Sequence, residues 1–382
     1  MKVGEKMKLQ TKSVFKKGVG NADYYRIPSI ISTKNGTVIA VCDERYYSNA
    51  DNPNKINKVM RRSFDNGHSW ENLRVIVEEK GDTQLSSSAA IDPCLLYDDI
   101  NNLIYLLYSH TPPGIGLYNS ERSVGGIEGN KEIPTSYLML CSSDDDGETW
   151  SEPICLNPMV KDPKWGFIGP GPGIGICLKN SRYRGRLVFP IYYGANKIQP
   201  SLMACIIYSD DGKNWKRSGP MMEYQSGVND GVFESGEWQL TESQIVEQEN
   251  GNLLAFIRNH HHSKRILTAV SSDGGRTWKD QKFLDELVQP ICQISALKFY
   301  HFGKPYIAVV NPADENQRLN GTIRLSEDDG KTFPYQKVIK PGQFIYNSVV
   351  YLPDKEIGIL YEPDWQSIEF IKVKVEWIKG EE

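Results

Sequence analysis

No stretch of about 18 apolar residues occurs anywhere in this 382-residue chain, and the opening Met1-Lys2-Val3-Gly4-Glu5-Lys6 has no apolar core. A membrane-inserted protein is therefore not expected. Neither is an export signal in the chain as it stands, which points to the cytoplasm or to secretion after removal of a leader. An excess of one charge is also missing: 44 basic residues face 48 acidic ones, a net charge of −4. That balance argues against nucleic acid or an anionic membrane surface as a partner. Metal-ligand spacing is absent from the seven cysteines, Cys42, Cys94, Cys141, Cys155, Cys177, Cys205 and Cys292. Their odd number and their places in apolar runs predict buried free thiols. Helical periodicity is scarce throughout, and no linker divides the chain.

What the chain does have is a repeat. Ser63 to Trp70, Ser143 to Trp150, Ser271 to Trp278 and Ser326 to Phe333 share the pattern Ser-x-Asp-x-Gly-x-Thr/Ser-aromatic. A fifth copy, Tyr208 to Trp215, keeps Asp210, Gly212 and Trp215 and sets Tyr208 where the serine belongs. The Asp and Ser side chains are expected to bond the backbone of a tight turn, Gly to take φ > 0, and the aromatic to pack under the hairpin. Such a unit is a staple. Each copy follows a strand-like run, and the copies recur at roughly 55 to 80 residues, a period that suits the four-stranded blades of a propeller. The expected fold is all-β, a six-bladed β-propeller formed by a single domain over residues 1–382, with a surface insertion around 110–135. Ile371, Val373, Val375 and Trp377 alternate with Lys372, Lys374 and Glu376, which predicts a last strand that pairs with residues 8–14 and closes the ring.

The stretch Tyr24-Tyr25-Arg26-Ile27-Pro28-Ser29-Ile30 sets an arginine at the start of an extended segment, since Pro28 biases the residue before it to β or polyproline geometry. Beyond it lie Asp43, Glu44, Arg45 and a polar loop that carries Asp51. Further on come Leu240-Thr241-Glu242-Ser243 leading to Phe256-Ile257-Arg258-Asn259, then Arg318-Leu319-Asn320-Gly321, then Ile345-Tyr346-Asn347-Ser348 ahead of Leu360-Tyr361-Glu362. Across residues 25–362 these motifs resemble the bacterial exo-α-sialidases (neuraminidases), six-bladed propellers marked by an Arg-Ile-Pro motif and repeated Asp boxes, most closely the clostridial-type enzymes. The small inserted β-domain typical of that type looks reduced or lost, and Ile291 stands where the family has Tyr before the Cys-Gln pair, here Cys292 and Gln293.

The resemblance implies a retaining exo-α-sialidase that hydrolyses terminal α-linked sialic acids from sialoglycans. It would act as a monomer, without a cofactor or metal. Arg26, Arg258 and Arg318 would hold the substrate carboxylate, for which planar, permanently charged guanidinium groups suit. Arg324 lies close enough to Arg318 to exchange with it in a shifted pairing. Glu362 would orient Arg26, while Arg45 and Asp92 would contact the O4 and N-acetyl side of the sugar. Tyr346 would be the nucleophile, with Glu242 as its base; a neutral phenol avoids the repulsion that a carboxylate would meet at a centre already bearing one. Asp51 would protonate the leaving group. Alternatives that the same residues leave open are transfer to another sugar or within the substrate, and a propeller that binds sialoglycans without cleaving them. Two further features are read as peripheral: the glycine-rich run from Gly166 to Gly175 as a rim loop, and Trp165 and Trp238 equally as an exposed platform for the aglycone or as packing residues. His260-His261-His262 lacks the spacing of a metal site, and His260 is placed at the mouth of the site instead.

Overall fold

A computed structural model describes residues 9–128, 131–180, 182–194, 202–222 and 239–381. Nearly all regular structure in them is β, in a propeller-like arrangement of sheets, with two short helices, Asn157–Val160 and Val375–Lys379. One sheet has nine strands, one has five, three have four, and a two-stranded ribbon lies apart. Antiparallel pairing between sequence neighbours dominates, as alternating Val, Ile, Tyr and Phe with tight turns dictate. No helix among the described residues is long and apolar enough to cross a membrane. All seven cysteines are free thiols; six are buried and Cys155 is half-buried.

The two ends of the chain meet in one four-stranded sheet. Thr11–Phe15 pairs antiparallel with Ile368–Val373, Thr11 opposite Ile371, and so closes the ring as the alternation predicts. The alternation overran, however. Val375 and Trp377 belong to the terminal helix, in which Val375 and Ile378 turn onto the core instead of continuing a strand.

The repeated turns do staple, and they staple neighbouring sheets together. In the first copy Ser63 Oγ donates to Asp65 Oδ1 at 2.8 Å and accepts the N–H of Gly67 at 2.8 Å, while Asp65 accepts from Ser69 N–H at 2.8 Å and Ser69 Oγ at 2.6 Å. The copies beginning at Ser143, Ser271 and Ser326 repeat these bonds. The fifth copy corrects the expected alignment. Ser209 and Asp211, not Tyr208 and Asp210, make the turn bonds, in a loop one residue tighter, and Asp210 is released to grip Arg186 at 2.7 Å. Trp70 meets Phe370 edge-on at 5.5 Å, and a Cβ placed on Gly67 (φ +84°) would lie 2.1 Å from the same ring. Gly67→Ala is therefore expected to cost about 2–4 kcal/mol of stability through strain and overpacking, read as a lower urea midpoint with unchanged slope.

The glycine-rich run is no rim loop. Phe167–Pro170 pairs with Leu187–Gly194, and Gly173–Ile174 pairs in parallel with Ala89–Asp98 at Cys94 and Leu95. Glycine is needed because neighbouring groups approach closely there: a Cβ on Gly171 would sit 2.7 Å from the Ser243 carbonyl oxygen, and one on Gly173 (φ +126°) 2.8 Å from the side-chain amide oxygen of Gln244. Trp165 is buried, stacked on Tyr193 at 3.5 Å with Arg217 over its ring, so it offers no platform. Trp238 lies outside the described residues.

Candidate active site

The strands Tyr24–Ser32, Ala89–Asp98 and Leu240–Glu247 carry Arg26, Asp92 and Glu242 within their first four residues, and Tyr346 directly precedes Asn347–Tyr351. Their antiparallel partners run the other way. Arg45 accordingly ends Val38–Arg45, Arg258 lies one residue before the end of Leu253–Asn259, and Glu362 follows Ile357–Tyr361. Alternating strand direction thus delivers residues scattered over the whole chain to one end of the sheets.

Irregularities in the ladders aim the side chains. Pairing shifts between Arg26 and Ser29, between Ile91 and Cys94, and between Leu240 and Ser243. Such bulges redirect a side chain at the cost of one ladder bond. Ile27 and Asp92, each followed by proline, take φ of +58° and +60°, contrary to the extended geometry expected before Pro28. At Ile27 the reason is tertiary: its N–H is held by Glu362 Oε1 at 2.6 Å.

Tyr346 sits at the centre. Its hydroxyl donates a short hydrogen bond to Glu242 Oε1 and accepts one from Arg258 Nη1 at 2.9 Å, and the same Nη1 lies 2.5 Å from Glu242 Oε2. The guanidinium carbons of Arg26 and Arg318 each stand 5.6 Å from the Tyr346 ring centroid. Burial and the Glu242 charge push the phenol well above its ordinary pKa, against the pull of Arg258 and Arg318, so it carries its proton in the free protein. Arg26 bonds Glu362 Oε2 through Nε at 3.3 Å and Nη2 at 3.2 Å, and Glu362 is fully buried. The backbone joins these groups too, because Glu362 N–H donates to the Tyr346 carbonyl and Phe344 N–H to the Arg318 carbonyl, both at 2.9 Å. Arg324 stands apart, buried against Asn311 at 2.8 Å, whereas Arg318 lies beside the Tyr346 ring.

Arg45 is completely buried and bonds Asp43 Oδ2, the Asn49 carbonyl and Asp51 Oδ1, each at 2.8 Å. The Asp51 side chain is 70% exposed. Crowding raises its pKa, but the guanidinium groups of Arg45, Arg26 and Arg258 outweigh that and hold the carboxyl below the ordinary range. Asp92 behaves oppositely: burial, with the charges of Asp43, Asp51 and Glu242, pushes it well up, and Tyr192 donates to it at 3.4 Å. Ile291, at φ +55°, offers its carbonyl to Arg318 Nη2 at 3.4 Å. His260 is pushed down to about 4 by burial and by Arg258, and is uncharged near neutrality. Among the described residues no group of three His, Cys, Asp or Glu is placed to hold a metal ion.

Three contributors went unread in the sequence. Trp365 covers the guanidinium groups of Arg26 and Arg318 at 4.7 and 5.4 Å, a cation–π pairing between residues far apart in sequence. Asp43 and Lys58 lie buried behind Arg45. No local pattern marks any of them: the face of Ile56–Ser63 that carries Lys58 also carries Arg62, so the lysine does not stand out from its strand.

Residues 46–360 match the family of BNR repeat-like domains. A sialidase of Bacteroides fragilis is 32% identical over 94% of this chain and 63% of its own length. An anhydrosialidase of Macrobdella decora is 26% identical over 90% of this chain and 58% of its length, so the chain spans about three-fifths of these relatives. The solved structure of the Hadza microbial sialidase Hz136 superposes with a TM-score of 0.80 at 30% identity, covering 94% of this chain and 67% of that one. With well over half its length matched, and with similarity to sialidases along nearly all of it, the chain belongs to the BNR-repeat sialidase family.

Proposed function

We propose that this protein is a retaining exo-α-sialidase that hydrolyses terminal sialic acids from sialoglycans through a covalent sialyl-tyrosine intermediate. The observation that carries the reading is the contact of the Tyr346 hydroxyl with Glu242 inside a triangle of three arginines, Arg26, Arg258 and Arg318. In this reading the arginines bind the substrate carboxylate. The Tyr346 oxygen attacks the anomeric carbon as Glu242 takes the phenolic proton, the bond to the aglycone oxygen breaks, and Asp51 protonates that oxygen. Water then attacks the same carbon, Asp51 takes its proton, and Tyr346 departs with the proton returned by Glu242. Two inversions leave the configuration retained. Asp92, held protonated, and Arg45 face the sugar's O4 and N-acetyl side.

The finer architecture belongs to the same reading. The nine-stranded sheet is joined between its Ile56–Ser63 and Ala89–Asp98 strands by the single pair Ile56 and Ala89, and division there supports six blades in one domain, with residues 110–135 as an insertion. A non-catalytic binding propeller would have no use for the Tyr346–Glu242 contact.

The test is to incubate the protein with α2,3- and α2,6-sialyllactose and follow the released nine-carbon product by NMR from the earliest times. Free sialic acid appearing first as the α-anomer is the expected result. The β-anomer first, or no release, would overturn the reading, and an anhydro or transferred product would replace hydrolysis with transfer.

A further inference from the structure

We infer that Lys58 and Asp43 are positioning residues that hold Arg45, and through it Asp51, where the leaving group is protonated; the inference rests on the sialidase reading above. Asp43, Arg45 and Lys58 have no exposed side-chain surface at all. They form one continuous chain of charge-assisted contacts. Lys58 Nζ donates to the Ala90 carbonyl at 2.5 Å and to Asp43 Oδ1 at 2.5 Å; Asp43 Oδ2 accepts from Arg45 Nε at 3.3 Å and Nη2 at 2.8 Å; and Arg45 Nη1 reaches Asp51 at 2.8 Å.

Packing alone does not account for the lysine. Asp43 and Arg45 already compensate each other, and a second buried cation adds a desolvation cost that only its own bonds offset. What Lys58 does is occupy the oxygen of Asp43 that Arg45 leaves free, which fixes the carboxylate plane and hence the direction in which the guanidinium presents Nη1. Its other anchor, Ala90, lies two residues before Asp92 and just ahead of the bulge that aims it. The backbones of these two strands pair only at Ile56 and Ala89, so the Lys58 side chain links them at the level of the site. Arg26 has its own version of this arrangement, with Glu362 steadied by the Ile27 N–H instead of by a lysine. Two arginines of the site are thus each oriented by a fully buried carboxylate that is itself held.

The experiment compares Lys58→Met and Asp43→Asn with wild type on sialyllactose, a poor leaving group, and on 4-nitrophenyl sialoside, an activated one, with the inhibition constant of free sialic acid and thermal unfolding measured alongside. Expected for both variants is a loss of kcat/KM at least ~5-fold greater on sialyllactose than on the aryl sialoside, over and above the weakening of sialic acid binding through Arg45 that the two substrates share. Equal losses on both substrates, no loss on either, or loss of the folded state in both variants would overturn the inference in favour of a purely structural role. Asp51→Ala in the same assay separates the two levels of the account. If it discriminates between the leaving groups and the Lys58 and Asp43 variants do not, this inference alone fails; if it does not discriminate, the acid assignment falls and takes this inference with it.

Discussion

Tyr346→Phe is expected to fold normally and to lose at least ~10³-fold in kcat on every sialoside, activated or not. The ring remains in its buried place, and the groups left behind are not orphaned, because Glu242 keeps its contact with Arg258. The stability change should therefore stay within about 3 kcal/mol, the net worth of the two hydrogen bonds that the hydroxyl makes. Substrate binding should also survive, since Arg26, Arg258 and Arg318 are untouched. The signature is a collapse of kcat with KM or the sialic acid inhibition constant nearly unchanged. Near-normal turnover would remove the nucleophile from the account, and a parallel loss of binding would recast Tyr346 as a floor for the arginines.

Asp51→Ala carries the second large effect, and here the substrate decides its size. Protonation of the departing oxygen contributes ~10²-fold or more when the alcohol is a sugar hydroxyl and little when it is a nitrophenol, so the loss should appear on sialyllactose and nearly vanish on the aryl sialoside. The electrostatics add a pH dependence. In the free protein Arg45, Arg26 and Arg258 hold the Asp51 carboxyl below the ordinary range, which favours the ionised form at neutral pH. Only the protonated form is an acid, so kcat/KM on sialyllactose, which reports the free protein, should decline as pH rises through that lowered pKa. Once the substrate carboxylate occupies Arg26 and Arg258, two of the three depressing charges are offset and the Asp51 pKa rises, so the corresponding limb of kcat should lie at higher pH. Asp51→Ala should abolish both limbs. Identical losses on the two substrates, or a limb that persists in the variant, would count against the acid role.

Much of this molecule was legible in its residues, and the exceptions have a common physical origin. Strand content, ring closure by the two termini and the stapling turns all follow from local chemistry: period-two apolar alternation, Ser and Asp bonding nearby backbone, Gly at φ > 0. The residues named from motifs do converge, even though Glu242 and Tyr346 are separated by 104 positions and Arg26 and Glu362 by 336. Where expectation and structure part, a tertiary demand has overridden a local preference. Pro28 favours extended geometry at Ile27, yet the Glu362 carboxylate claims that N–H and the chain bulges to φ +58°. In the fifth repeat the reason is local instead: the Ser-x-Asp pair falls at Ser209 and Asp211, one residue nearer the glycine, and Asp210 is left to bind Arg186. Trp165, for which the sequence left platform and packing equally open, is stacked on Tyr193, a partner on a neighbouring strand. Trp365 and Lys58 illustrate the limit most clearly. Their roles consist of contacts with residues from other sheets or other strands, and no spacing within a single segment encodes them.

The measurement that bears most directly on the central claim is covalent trapping. A sialosyl fluoride with a second fluorine at C3 has a good leaving group for the first step and an electron-poor anomeric centre that slows both, so the intermediate should accumulate. Intact-mass and peptide analysis after brief exposure should show one fluorosialyl adduct, on the peptide that carries Tyr346, and none in Tyr346→Phe. An adduct on Glu242, Asp51 or any other side chain, or full inhibition with no adduct at all, would contradict the account.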